Sequence, residues 1–240
     1  MQFLYNISIL LYVSGIRITS LFNSKARLWI SGRKNIFQKL ETVTENQNNI
    51  VWFHCASLGE FEQGRTIIDS YKKKHPTHKI LLTFFSPSGF EIQKNYKGAD
   101  WVFYLPADTK SNAKKFIHIV KPIKVVFIKY EFWFNYMAEC KKRNIPFYSV
   151  STIFRKNQTF FKYRWFAEQL KNVYHFFVQD KTSFNLLKSI GYKNTTISGD
   201  TRFDRVKEKA GSAKEIPLVA KFCRQKPTII CGSTWPKDDA

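Results

Sequence analysis

The chain has 240 residues, 44% hydrophobic and 17% aromatic, enough apolar material for a substantial core, which excludes disorder as its general state. Its 39 Lys and Arg against 18 Asp and Glu give a formal charge of +21, which asks for an anionic partner such as nucleic acid, anionic lipid or a phosphorylated substrate. No RNA-recognition signature, zinc-finger spacing or arginine-rich tract supports nucleic acid, and part of the excess is lysine scattered singly on helix surfaces.

In chain order, Met1 to Ile16 carries no charged side chain and is rich in Leu, Ile, Tyr and Phe, followed by Arg17, Lys25, Arg27, Arg33 and Lys34. A helix over residues 1–16 reaches about 24 Å, short of the roughly 30 Å hydrocarbon core, but with Arg17 snorkelling the apolar stretch extends to Phe22. No basic residue precedes it, which disfavours a secretory signal. The expectation is a membrane anchor or interfacial helix over 1–22, with a soluble amphipathic helix as the alternative. A basic connector over 23–49 follows, polar from Glu41 to Asn49, with its cations on the cytoplasmic side.

Short apolar strands are then expected at Ile50–Cys55, Lys79–Phe85, Trp101–Leu105, Lys124–Lys129, Pro146–Ser151, His175–Gln179 and Thr195–Ser198. Between them lie helical stretches: Phe61–Lys74, with Phe61, Ile67, Ile68 and Tyr71 as the inward stripe; one following Ser86 to about Tyr96; and one capped by Pro106-Ala107-Asp108 and running to about Val120. Glu131–Arg143, Gln158–Leu170 and Lys181–Ile190 complete the alternation. Such alternation means a doubly wound α/β domain with a parallel sheet, here over 50–204. Ligands of these sheets lie beyond the carboxyl ends of the strands. That rim comprises the turns Ala56–Glu60, Ser86–Gly89, Tyr130-Glu131 and Ser151-Thr152. The charged stretch 205–226 reads as an interdomain linker. Pro227–Gly232 reads as a buried strand opening a second, truncated domain over 227–240, with Ser233-Thr234 in the turn after it.

Cys55, Cys140, Cys223 and Cys231 are widely separated with no C-x-x-C pair, so neither a zinc site nor a disulfide framework is indicated and a reducing, cytoplasmic setting is the default. The five histidines show no metal-ligand spacing, and His54 and His175 read as core or edge residues. The chain lacks a G-x-G-x-x-G after its first strand, a Walker A sequence and a G-x-S-x-G elbow. Carboxylates and hydroxyls remain. Glu60 and Glu131 stand on two rim turns, where one could be a general base and the other a positioning group; each could equally be a first-turn helix charge favoured by the macrodipole. Ser86, Ser88 and Gly89 could meet an anionic or sugar group, or form an ordinary cap.

Taken together, Ser57-Leu58-Gly59-Glu60, Ser86-Pro87-Ser88-Gly89, Tyr130-Glu131-Phe132-Trp133, Gly199-Asp200-Thr201-Arg202-Phe203-Asp204 and Gly232-Ser233-Thr234, in this order, resemble the bacterial 3-deoxy-D-manno-octulosonic acid (Kdo) transferases. The resemblance implies a GT-B glycosyltransferase with two Rossmann-like domains. It would move Kdo from CMP-Kdo to a lipid A precursor (lipid IVA) at the cytoplasmic face of the inner membrane, inverting the anomeric centre. It implies no metal and no cofactor beyond the donor CMP-Kdo. Glu60 would be the general base and Glu131 the second acidic residue, with Ser57, Gly59, Ser86, Ser88 and Gly89 on the acceptor side. Arg202, Asp204, Ser233 and Thr234 would lie on the donor side. Arg202 stands where the family has Lys, Asp200 replaces a small residue, and Tyr130 stands where a smaller polar residue is expected. Most donor contacts would belong to residues beyond this chain, which by itself is expected to transfer no Kdo. The alternatives are another GT-B sugar transferase or an epimerase, and a non-catalytic basic module binding anionic lipid or nucleic acid.

Overall fold

The structure is a computed structural model that describes residues 1–129, 131–211, 215–224, 227–229 and 231–235. Seven strands form its centre: β1 (Ile50–Cys55), β2 (Lys79–Phe84), β3 (Trp101–Tyr104), β4 (Lys124–Ile128), β5 (Phe147–Thr152), β6 (His175–Val178) and β7 (Thr195–Ile197). All pair in parallel, in the order β3-β2-β1-β4-β5-β6-β7. The strand order reverses between β1 and β4, which makes the crevice above their carboxyl ends the topological switch point.

Side-chain alternation divides the core between the two faces of the sheet. Trp52, Leu81, Val125, Phe127, Phe147 and Phe176 belong to one buried cluster, and Val51, Phe53, Cys55, Ile80, Leu82, Phe84, Val126 and Ile128 to the other. The second face is covered by α4 (Leu58–Lys74) through Phe61 and Ile68, with Phe90 of α5 (Pro87–Gln93) beside it. The first is covered by α6 (Lys110–Val120), α7 (Phe134–Lys142), α8 (Arg164–Leu170) and α9 (Lys181–Ser189).

The N-terminal region departs from expectation. Residues 23–49, expected as a connector, hold α2 (Ser24–Ser31) and α3 (Ile36–Thr44), whose Trp29, Ile36, Leu40 and Thr44 are buried. Leu40 is fully buried, and burying such a side chain stabilises by about 1.5–3 kcal/mol, so these helices are part of the domain. Polar residues at 41–49 hid this, because only one narrow stripe of α3 faces inward. Arg33, expected among cations for a membrane surface, instead lies over the Trp29 ring at 3.7 Å and donates to the carbonyls of Trp29, Phe85 and Leu105.

α1 (Gln2–Thr19) precedes them. Among the described residues no single helix is long and apolar enough to cross a membrane; α1 and α2 together pass that test but are bent by 120°. α1 rests on the domain through Tyr5, Ile9, Val13 and Ile16 and leaves Phe3, Leu4, Leu10, Leu11 and Ile18 exposed.

Three further boundaries differ. Asp108 does not cap α6, whose cap is Thr109 accepting from the Asn112 N–H at 3.2 Å. The helix expected from Glu131 begins at Phe134, because Asp108 captures amides of its first turn from another loop. Residues 158–170 form a short 3-10 turn (Thr159–Phe161) and then α8 rather than one helix.

Residues 1–205 form one compact unit and 206–240 another. α10 (Thr201–Gly211) and α11 (Pro217–Cys223) occupy most of the expected linker. Pro227–Gly232, expected as a buried strand, carries no strand among its described residues, and Ile229 is 91% exposed. A strand needs a neighbour for its backbone groups, and no described segment of 206–240 supplies one. Ile230 and residues 236–239 of the following turn lie outside the described residues.

Candidate active site

β1 ends at Cys55, and Ser57 caps α4 in extended backbone geometry. Ser57 and Glu60 form a capping box, in which Glu60 Oε2 accepts the Ser57 N–H at 3.1 Å and the Ser57 side chain faces the Glu60 N–H. The helix therefore starts three residues earlier than expected and carries Glu60 in its first turn, 9% exposed. Burial pushes the Glu60 carboxyl above the ordinary range, while the backbone amides of Ala56 and Ser57 and the charge of Lys129 pull it back. A Cβ on Gly59 would meet nothing within 4 Å, so the space beside Gly59 is open.

Across the switch point, Glu131 follows β4 and lies three residues ahead of α7, so it is not a first-turn helix charge. Burial and the neighbouring Glu60 charge push its carboxyl up to about 7, and the Trp133 indole N–H lowers it, short of a full hydrogen bond. Two carboxylates in one crevice cannot ionise independently. The Glu60 charge raises Glu131, so Glu131 keeps its proton after Glu60 has ionised.

The other residues expected on the acceptor side lie on adjoining turns. The Ser86 N–H donates to the Ala56 carbonyl at 2.7 Å, tying the β2 turn to the β1 turn. Ser86 is an ordinary cap whose Oγ accepts the Ser88 N–H at 3.2 Å, and Ser88 Oγ lies 3.0 Å from it. Gly89 is glycine for packing: a Cβ there would come within 2.3 Å of the Phe84 ring. Arg33, clamped on Phe85 and Leu105, fixes the ends of β2 and β3, and burial lowers its guanidinium to about 9.

Lys129 was not singled out by sequence. It follows β4 in the left-handed region, φ 65°, and its carbonyl accepts from Ser149 Oγ at 3.0 Å and Thr152 Oγ1 at 3.1 Å. A non-glycine residue held there stores strain of the kind that gathers at functional sites. Ser151, φ 57°, sits at the adjacent irregularity in β5, and its hydroxyl is engaged by Gln179 and Thr201. Thus Ser151 and Thr152 hold backbone and neighbours. The Lys129 charge acts on both Glu60 and Asp200. Its only sequence signal was a lysine at the end of an apolar strand.

The expected donor-side residues separate. Arg202 is exposed and pairs with Asp200, Nε–Oδ2 2.8 Å, whereas Asp204 borders a groove with Thr66, Ser70 and Lys74. Ser233 and Thr234 belong to the second unit and are exposed. His54 is a fully buried core residue, Nδ1 2.9 Å from Thr83 Oγ1, with burial lowering it to about 3. His175, at the start of β6, is partly exposed and lies 2.9 Å from Thr196 Oγ1. Among the described residues no three His, Cys, Asp or Glu side chains converge as metal ligands.

A parallel sheet of this order, with helices on both faces, defines a Rossmann-like α/β domain. Solved UDP-N-acetylglucosamine 2-epimerases share the fold. The one from Neisseria meningitidis, bound to UDP-GlcNAc, superposes with TM-score 0.53 at 16% identity over 73% of this chain and 53% of that one. The one from Rickettsia bellii gives 0.52 at 14% over 73% and 51%. The chain belongs to the 3-deoxy-D-manno-octulosonic-acid transferase (kdotransferase) family, whose model matches residues 32–205. It is 26% identical to the 3-deoxy-D-manno-octulosonic acid transferase of Rickettsia bellii over 79% of this chain and 46% of that protein. The Haemophilus influenzae enzyme is 23% identical over 79% and 46%, and the Aquifex aeolicus enzyme 34% identical over 37% and 25%. The chain spans about half the length of the first two curated relatives.

Proposed function

We propose that this chain is the acceptor-binding half of an inverting transferase that moves Kdo from CMP-Kdo to a lipid A precursor, with Glu60 as general base. The observation that carries this reading is the pair Glu60 and Glu131 on the two sides of the switch point, where burial and the Glu60 charge raise the Glu131 carboxyl to about 7. In the reaction, an acceptor hydroxyl bonds to the anomeric carbon as its proton passes to the Glu60 carboxylate. The bond from that carbon to the CMP phosphate oxygen breaks, and CMP leaves with the electron pair. The protonated form of Glu131, which persists up to about pH 7, donates a hydrogen bond to the acceptor instead of competing for the proton. The open space beside Gly59 admits the sugar. General-base assistance of this kind is worth about 10²- to 10⁴-fold.

The membrane partner belongs to the same proposal. The exposed apolar residues of α1 lie on the cytoplasmic leaflet of the inner membrane, supported by Leu21 and Phe22, 71% and 87% exposed, and by the +21 charge, which suits acidic lipid and acceptor phosphates. Arg202 and Asp204, with Ser233 and Thr234, are assigned to the donor side. The test uses a protein of the relatives' full length, screening CMP-Kdo against UDP sugars on lipid IVA before and after Glu60→Gln. Transfer from CMP-Kdo that is lost in the variant supports the reading; a UDP-sugar preference or unchanged turnover overturns it.

A further inference from the structure

α7 starts without help from its own N-cap, since Trp133 makes no side-chain capping bond. First-turn amides of a helix otherwise lack partners. Here Asp108, 1% exposed in the loop after β3, supplies them: its Oδ2 accepts the Asn135 N–H and its Oδ1 the Tyr136 N–H, each at 3.0 Å. Those are the second and third residues of α7, the positions a cap ordinarily serves. The same loop is sewn to the helix twice more, by Asn135 Nδ2 on the Asp108 carbonyl at 2.6 Å and by the Tyr136 hydroxyl on the Pro106 carbonyl at 3.1 Å.

α1 joins this knot. The Tyr5 hydroxyl donates to Asp108 Oδ2 at 2.6 Å. Asn135 Nδ2 donates to Asn6 Oδ1 at 3.1 Å, Gln2 Nε2 donates to Asn135 Oδ1 at 3.3 Å, and the Tyr5 and Phe134 rings lie 4.9 Å apart. Gln2, Tyr5 and Asn6 are neighbours on one helical face, so a single face of α1 grips the start of α7. Immediately upstream of that start is the segment Glu131–Trp133, and Trp133 packs on Phe85 with ring centroids 4.6 Å apart.

We propose that Asp108 is a positioning residue that caps α7 from a separate loop and, through Tyr5, couples the docking of α1 to the placement of Glu131 at the switch point. The Asp108 carboxylate is met by two helix amides and one hydroxyl. A local Ser or Asn at position 133 could cap the helix but would not connect it to α1. The titratable groups whose charges act with that of Glu131 are Glu60 and Cys55 from the β1–α4 side and Tyr5 and Tyr12 from α1, with the Trp133 indole from its own segment. The role rests on the reading of Glu131 as a site residue, but its test needs no substrate.

The experiment is a carbon-detected NMR titration of the Glu131 carboxyl in the 240-residue chain, with melting curves confirming the fold. Asp108→Asn leaves one oxygen for two amides, and the loosened segment admits water and draws away from Glu60. The Glu131 midpoint is expected to fall by about half a pH unit or more. Tyr5→Phe keeps both amides capped and frees only α1, so a smaller fall is expected; it also carries the test if Asp108→Asn fails to fold. An unchanged midpoint in folded Tyr5→Phe and, where it folds, Asp108→Asn overturns the coupling. A shifted midpoint alongside undiminished turnover in Glu60→Gln of a protein of the relatives' length would remove the transferase reading and leave the positioning role standing.

Discussion

Glu60 Oε2 accepts the Ser57 N–H at 3.1 Å, so the carboxylate assigned as base is also the capping partner of its own helix. Helix charge and catalyst, alternatives in the sequence, are compatible in one side chain with two oxygens. Glutamine can fill the same capping role. Glu60→Gln is therefore expected to keep the fold while lowering turnover about 10²- to 10⁴-fold in a protein of the relatives' length. Glu60→Ala should lose the cap as well, at about 1 kcal/mol. Melting curves beside product assays separate the two effects, and a Gln variant that unfolds would refute this division.

Glu131 makes stability depend on pH. Its carboxyl lies at about 7 in the fold against an ordinary 4.5, so between these values the folded state binds more protons than the unfolded one. Stability then falls as pH rises through that window, and the full penalty, on the order of 1–3 kcal/mol, is present above it. Glu131→Gln is expected to be more stable than the parent at pH 8 and nearly equal at pH 4.5. Urea unfolding at the two values checks this; Asp108, raised to about 6, contributes the same sign in both proteins and cancels.

Lys129 holds Glu60 toward its ionised form. Lys129→Met is expected to raise the Glu60 midpoint and to move the acid limb of the pH–rate profile of a protein of the relatives' length upward. A titration of Glu60 that does not respond would remove Lys129 from the site.

Gly64 lets α4 close on the sheet. A Cβ there would come within 2.7 Å of Ile128 and 3.3 Å of Cys55 Sγ, both fully buried. Gly64→Ala should destabilise by about 1–3 kcal/mol by overpacking. It should also shift Glu60, one turn away; chemical denaturation and the Glu60 resonance report the two effects.

Leu4 and Leu11 are 58% and 67% exposed on α1. Replacing both with Glu is expected to leave melting nearly unchanged and to reduce sedimentation with phosphatidylglycerol vesicles several-fold. Unaltered sedimentation would exclude this face as the lipid contact.

Strand periodicity alone determined the alternating α/β pattern, all seven strands to within about two residues, and the rim carrying Glu60 and Glu131. Those features follow from local chemistry: apolar runs of five or six residues, turn residues after them, and a capping sequence at Ser57. The five ordered motifs added the family, which local pattern could not.

Only tertiary structure decided which strands are neighbours, and so placed both glutamates at the reversal between β1 and β4. It also decided that Trp29, Ile36 and Leu40 of α2 and α3 enter the core, that Arg33 clamps carbonyls, and that Asp108 caps a helix 26 residues further on rather than its own. Such pairings depend on groups far apart in sequence meeting after collapse. A buried carboxylate or guanidinium then takes whichever donors or acceptors the packed chain brings within 3 Å, and no local pattern encodes that choice.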